Sequence, residues 1–270
     1  MNLLQLKNMN IGATVLHGSV LIVCVVWSLL KYDPVNSSSY IDTTLYTIGA
    51  NYSQSVADSN ENNNKVKVEC KPITKHSDWL LFKLIFAFLL ITCMSHFIFS
   101  ITNKNWYADM LSKSNNYARW IEYSISASIM ILIIMFTCGV KSFDTVLTVC
   151  ITSVCVMLLG NSIEIAISEN RINNALFLTG ISWALFGTIW YNISHTFISA
   201  AKEATNMPSF VVAIYISMFL LYSSFGFVQL FHLSNPTTCF MKIESSYIIL
   251  SFIAKTLLVM LVTSGLVARS

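Results

Sequence analysis

Tyr247-Ile-Ile-Leu-Ser-Phe-Ile-Ala-Lys-Thr-Leu-Leu-Val-Met-Leu-Val262 is an apolar run long enough to cross most of a bilayer, with Lys255 near its middle. A charge at that depth costs at least about 2.5–3.5 kcal/mol on insertion scales, so it marks function and has a partner. The acid placed to be that partner is Glu122, in Arg119-Trp-Ile-Glu-Tyr-Ser-Ile-Ser-Ala-Ser128. A lysine kept from water is available as a free amine, and a free amine condenses with a carbonyl ligand.

Composition agrees with a membrane setting. The chain is 55% hydrophobic and 11% charged, whereas soluble domains carry roughly 25% charged residues. The net charge of +3 is spread along the chain, with no basic patch to hold nucleic acid. Cys24, Cys93, Cys138, Cys150 and Cys155 lie in apolar segments, where free cysteine packs as a small hydrophobe. Cys70 and Cys239 fall in loops on opposite faces, which forbids pairing them, and no metal-ligand spacing occurs. No nucleophile–base pair or phosphate loop points to an enzyme.

Crossing ~30 Å of hydrocarbon takes about 20 apolar residues. Seven stretches qualify, near 9–30, 79–101, 116–139, 144–167, 174–197, 208–233 and 245–267. Backbone groups in lipid must be satisfied internally, so each is read as a helix and the set as an all-α bundle. The first, from Met9 to Leu30, is longer than a signal-peptide core of roughly 7–15 residues and lacks a cleavage site. It is read as a retained helix. The long polar loop 31–78 holds the Asn-rich stretch Asp58-Ser-Asn-Glu-Asn-Asn-Asn64, which suggests flexibility. Tyr40–Ile48 and Val66–Cys70 beside it alternate enough to suggest two short strands. Charge bias leaves the orientation open, because long loops translocate largely regardless of charge. The sequons at Asn36 and Asn51 favour an exterior loop.

Spans 1, 3, 5 and 7 enter from the face of the N-terminus. At 1.5 Å per residue Lys255 lies roughly 15 Å in, Glu122 about 10 Å, His17 about 12 Å and His96 about 8 Å from that face. Ser251 is one turn before Lys255, and Arg119 is three residues before Glu122. Six polar groups thus share one half of the bundle. The remaining ionisable residues read as ordinary: Lys83 snorkels, Glu164 is interfacial, His195 and His232 are solvated, Asp144 opens a helix, and Glu169, Glu203 and Glu244 sit in loops. One buried lysine and one buried carboxylate in a chain of membrane helices suggest a retinal-binding protein.

Arg119-Trp-Ile-Glu-Tyr-Ser-Ile-Ser-Ala-Ser128, Ser251-Phe-Ile-Ala-Lys255 and Leu16-His17 together resemble the heliorhodopsins, and the resemblance extends over the whole chain in span number and spacing. It implies one seven-helix domain over 1–270, all-trans retinal bound covalently to Lys255 as a Schiff base, and Glu122 as counterion. It also implies a cytoplasmic N-terminus, an extracellular C-terminus, a homodimer in the lipid, and a first loop folded outside partly as a β-hairpin. The expected cofactor-binding set is completed by Ser251, Ser126, Tyr123, Tyr222, Phe225 and Gln229. His17, His96 and Arg119 are the expected proton-transfer residues.

Departures from proton-pumping rhodopsins shape the functional expectation. Pumps carry an aspartate four residues before the lysine, where this chain has Ser251; a second carboxylate commonly follows the counterion by about eleven residues, where this chain has Ile133. A pump needs an acceptor and a donor along a path, and that pattern is missing. The leading expectation is a photosensory protein with local proton transfer, a slow conformational signal and an unidentified signalling partner. The alternatives are a light-gated or transporting proton conductor using Glu122, His17, His96 and Glu164, and a seven-helix receptor without covalent cofactor.

Overall fold

The computed structural model describes residues 3–31, 45–50, 68–74, 79–101, 104–203 and 207–267. Its helices are α1 (Leu3–Lys31), α2 (Trp79–Ile101), α3 (Lys104–Ser112), α4 (Tyr117–Thr137), α5 (Phe143–Ser168), α6 (Ile172–Glu203), α7 (Ser209–Ser234) and α8 (Phe240–Val267), with strands β1 (Leu45–Ala50) and β2 (Val68–Thr74) between α1 and α2. All but α3 are long and apolar enough to cross a membrane, which makes seven spans among the described residues. The chain is an integral multi-pass membrane protein. Large apolar side chains such as Leu30, Phe177 and Tyr191 face outward, as a surface in contact with hydrocarbon requires.

Helix ends are set by local chemistry. Asn116 caps α4 by accepting from the Arg119 backbone N–H, and Ser142 caps α5 by accepting from Thr145. Asp144 in the first turn of α5 complements the helix dipole. After α4 the chain turns through Gly139 at φ +84°, with Gly139 N–H donating to Phe136 O and Val140 N–H to Met135 O. That paired closure wants a residue free of Cβ strain in the left-handed region. Asn170 plays the same part after α5 at φ 57°.

Neighbouring spans close into a ring in the order α1, α2, α4, α5, α6, α7, α8, back to α1, and the thinnest contact lies between α6 and α7. α4 is the most buried span and α8 the next. The main core gathers Phe82, Ile85, Phe88 and Leu89 of α2, Ile131, Ile133 and Ile134 of α4, and Leu258 and Val262 of α8. Glu122 and Lys255 therefore stand on the two helices with the least access to lipid or water.

Several boundaries differ from the sequence expectation. α1 begins at Leu3 rather than 9, α6 runs to Glu203 rather than 197, and α8 starts at Phe240 rather than 245. Polar residues close to a span end, Glu244 among them, stay helical because the helix continues into the interfacial region. α3 was not foreseen at all. It is too short to span, yet Tyr107, Met110 and Leu111 form one helical stripe that packs on Leu6, Phe99, Phe240 and Ile248. Trp106 at its edge donates to the Tyr117 hydroxyl at 3.0 Å.

β1 and β2 pair antiparallel, Leu45 with Thr74 through Ala50 with Val68. Tyr46 N–H also donates to Lys141 O at 2.9 Å, and Tyr46 bridges Ser142. The pair is thus pinned to the α4–α5 connection, on the face opposite the N-terminus. The expected strands overlap these over 45–48 and 68–70; residues 40–44 and 66–67, the Asn-rich stretch and both sequons lie outside the described residues.

Close approach of α4 to α5 depends on one glycine. A Cβ on Gly160 would fall 2.2 Å from the Trp120 ring. Gly160→Ala should cost about 1–3 kcal/mol through overpacking, read as a lower thermal midpoint in detergent. Gly180→Ala, with nothing within 4 Å, should be neutral or stabilise by roughly 0.5–1 kcal/mol. Equal midpoints for the two variants would refute the packing assignment.

Candidate functional site

Lys255 is 4% exposed. Its Nζ donates to Glu122 Oε1 at 2.7 Å and to Thr92 Oγ1 at 2.6 Å, and the Thr92 hydroxyl donates to the same Glu122 oxygen at 2.7 Å. The Tyr123 ring centroid is 5.3 Å from Nζ. Three helices, α8, α4 and α2, therefore close a compact ion pair shielded from water. A pair this buried adds little net stability, while removing one partner strands the other charge at a cost of roughly 3–5 kcal/mol. Thr92 escaped the sequence reading. Its signal was present, one polar residue a helical turn before His96 and on the same face.

The two histidines stand next to this pair, on the side of the N-terminus. His17 of α1 and His96 of α2 stack with centroids 5.6 Å apart and planes inclined by 11°. His96 Nδ1 contacts Asn10 Oδ1 at 2.8 Å. Neither ring nitrogen of His17, which is fully buried, has a protein hydrogen-bond partner. Ser251 and Ser126 are buried one turn from Lys255 and Glu122 respectively.

Arg119 belongs elsewhere. Its guanidinium bridges Glu164 of α5 and Glu244 of α8, with Asn116 Nδ2 donating to Glu244 Oε1 at 2.8 Å and Asn116 N–H to Glu164 Oε2 at 3.3 Å. The guanidinium carbon lies 4.2 Å from the Tyr247 ring centroid. This corrects three expectations: Glu164 is not interfacial, Glu244 is not in a loop, and His232 is not solvated, since they are 1%, 2% and 3% exposed. The longer α8 carries Glu244 inward, and Arg119 gives two carboxylates a shared partner. Arginine does not release its proton in proteins, so any part Arg119 takes in proton transfer is electrostatic.

Beside Lys255 runs a cavity bounded by α4, α5, α6, α7 and Ala254 of α8. Of the residues proposed from the sequence, Tyr123, Tyr222, Phe225 and Gln229 line it, whereas Ser126 and Ser251 do not. Trp120, Met130, Met157, Trp183 and Phe186 complete the walls; the sequence reading missed them, although Trp183, Phe186 and Trp190 recur at helical spacing. Gly226 leaves room for Trp183, whose ring a Cβ would approach to 2.7 Å. The polar ends of the wall are tied off. Tyr222 OH donates to Ala127 O at 3.1 Å, Gln229 Nε2 to Gly160 O at 3.1 Å, and Tyr123 OH to Tyr247 O at 3.0 Å. What remains is an aromatic slot suited to a long apolar molecule.

The heliorhodopsin family model matches residues 6–267. The chain belongs to the heliorhodopsin family. No curated protein matches it. Two solved structures share the fold: the transmembrane domain of Salpingoeca rosetta rhodopsin phosphodiesterase, at 11% identity and TM-score 0.67 over 99% of this chain and 86% of that one, and thermophilic rhodopsin, at 11% identity and TM-score 0.68 over 98% and 93%. Heliorhodopsin membership and the rhodopsin fold support a light-sensing retinal protein. The aromatic slot, the glycine-made recess beside Trp183 and the single amine next to Ala254 fit retinal on this chain's own geometry.

Arg119 should be a clamp of this heliorhodopsin rather than a replaceable surface charge. Arg119→Gln strands two buried carboxylates and should cost about 3–5 kcal/mol, seen as a depressed thermal midpoint. Arg119→Lys should recover only part, because an ammonium lacks the planar fork that engages two carboxylates. Full recovery by lysine would show that charge alone suffices.

Proposed function

We propose that this protein is a photosensor in which all-trans retinal is bound covalently to Lys255 with Glu122 as its counterion. The observation that carries the reading is the Lys255–Glu122–Thr92 contact at the edge of an aromatic cavity. Bound retinal supplies absorption of visible light and the change of shape that follows. Everything else falls to the chain's own side chains. Trp120, Trp183, Tyr222 and Phe225 would hold the ligand and exclude water from it. Glu122, 2.7 Å from Nζ, stabilises the positive charge there, and Thr92 fixes the carboxylate oxygen that does so. His17 and His96, the basic side chains stacked beside the pair on the N-terminal side, would take up the Nζ proton after light.

The distribution of charge favours return over transport. Among the described residues, every buried Asp, Glu, Lys, Arg or His lies at Lys255 or on the N-terminal side of it: His17, His96, Arg119, Glu122, Glu164, His232 and Glu244. A pump needs titratable groups on both sides. The conductor remains the second reading, because Glu164 and Glu244 add buried carboxylates to that same half.

We infer a cytoplasmic N-terminus, an extracellular C-terminus and hairpin, a homodimer, and a signalling partner reached from the cytoplasmic face. Orientation is open to test at Cys239, exposed on the N-terminal face. In a Cys70→Ser background, a membrane-impermeant maleimide should label Cys239 in inside-out vesicles and not in intact cells. The reverse pattern would invert the topology. Cross-linking of the purified pigment in lipid should capture a dimer, and a purely monomeric species would remove that part.

Two spectra test the core of the reading. Lys255→Ala, expressed with all-trans retinal, should lack the visible band, and a band that survives would place the attachment elsewhere. Glu122→Gln should shift the band to longer wavelength, or to the near ultraviolet once the proton at Nζ is lost. A spectrum and pH titration identical to wild type would give the counterion role to another group. Replacing His17 and His96 together should change the lifetimes of light-induced states more than the dark colour, and unchanged kinetics would take both off the route. Photocurrent from an expressing cell at zero voltage should be negligible. A sustained current would favour the conductor.

A further inference from the structure

In the N-terminal half of the bundle the polar groups form two clusters that a single residue connects. One is the histidine pair beside Lys255; the other is Arg119 with Glu164 and Glu244. Asn10 of α1, 1% exposed, stands between them. Its Nδ2 donates to Leu6 O at 3.2 Å and to the Tyr107 hydroxyl at 3.2 Å, while Oδ1 meets His96 Nδ1 at 2.8 Å. Tyr107, from α3, is itself buried, and burial first, then the nearby Glu244 carboxylate, pushes its hydroxyl above the ordinary phenol range. Tyr107 thus stays protonated and sits against the acidic cluster.

The amide of Asn10 has one orientation. A backbone carbonyl only accepts, so the atom facing Leu6 O is the NH2 group, and the atom facing His96 is the carbonyl oxygen. That oxygen also only accepts, so His96 Nδ1 must carry a hydrogen and Nε2 is left as its basic atom. A proton arriving from Lys255 is therefore received at His96 Nε2. Onward passage would require the Nδ1–H bond to break and a proton to be carried by a carboxamide, which has no titratable proton to hand on. Hydrogen bonds run unbroken from His96 through Asn10 to Tyr107, but a proton cannot follow them.

We propose that Asn10 is an insulating and positioning residue: it fixes the His96 tautomer and blocks proton escape from the histidine pair to Tyr107, Glu244 and the cytoplasmic face. This rests on the photosensor reading above and supplies its reason for local return. Asn10→Asp replaces the block with a carboxylate of the same shape. The carboxylate then takes the His96 Nδ1 proton and passes it to the Tyr107 phenol oxygen as Tyr107 gives its own proton to the Glu244 carboxylate; His96 returns to its neutral form, Tyr107 is unchanged, and Glu244 releases the extra proton to the N-terminal face.

The test uses the full chain with retinal in liposomes, a flash, and a pH indicator confined to the side of the N-terminus. Wild type should give no transient acidification and Asn10→Asp should gain one, with the visible band retained in both. Acidification by wild type, or none from a coloured Asn10→Asp, would overturn the proposal. A second measurement covers a variant that does not fold. In the dark, ¹⁵N resonances of His96 in wild type should report the Nδ1–H tautomer, and Asn10→Leu should lose it; an Nε2–H tautomer in wild type would overturn the assignment. The tautomer is read without retinal, so a chain that takes up no chromophore fails the earlier reading and leaves this one standing on its own result.

Discussion

A lysine ammonium and a glutamate carboxylate 2.7 Å apart in the buried interior constrain nearly everything else in this bundle. Each charge alone would oppose insertion by several kcal/mol, so the fold must bring the two together whenever it forms. It does so by placing them on α4 and α8, the two most buried spans, where neither side chain can reach the headgroups. Thr92 from α2 then fixes the carboxylate from the third side. The pair adds little net stability. Its retention is explained by what an amine beside a single carboxylate can do next to an apolar slot.

The second constraint is asymmetry. Buried ionisable groups crowd the half of the bundle toward the N-terminus, and the other half is packed with aliphatic and aromatic side chains such as Phe82, Ile85, Ile134 and Val262. Among the described residues, the buried carboxylates and imidazoles open to a proton leaving Nζ lie in one direction. On that side the structure keeps two stores apart, the stacked histidines and the carboxylates held by Arg119, with the Asn10 amide between them. In the proposed photosensor, that separation is what would let the proton return rather than pass on.

Much of this was legible in the sequence because membrane burial is costly to violate. The seven spans follow from hydropathy and length, and Lys255 with Glu122 follows from charges lying too deep to be ordinary. Other features were hidden for physical reasons. Glu164 and Glu244 sit near span ends, where depth along one helix does not tell whether a side chain points to headgroups or to a neighbour; only the position of Arg119 across three helices decides it. Thr92 is uncharged and carries no insertion penalty large enough to stand out. α3 is shorter than any span, so a search for spans passes over it, although its Tyr107–Met110–Leu111 stripe has helical spacing. The walls contributed by Trp120, Trp183 and Phe186 depend on which helices meet at the α6–α7 junction, which no single span reveals.

The most direct test of the central claim is chemical trapping of the ligand in place. The pigment formed with all-trans retinal is reduced with borohydride, digested, and the modified peptide identified by mass spectrometry. The account predicts one retinal-derived adduct, on the peptide that contains Lys255. An adduct on Lys83 or any other lysine, or a coloured protein that yields none, would contradict it.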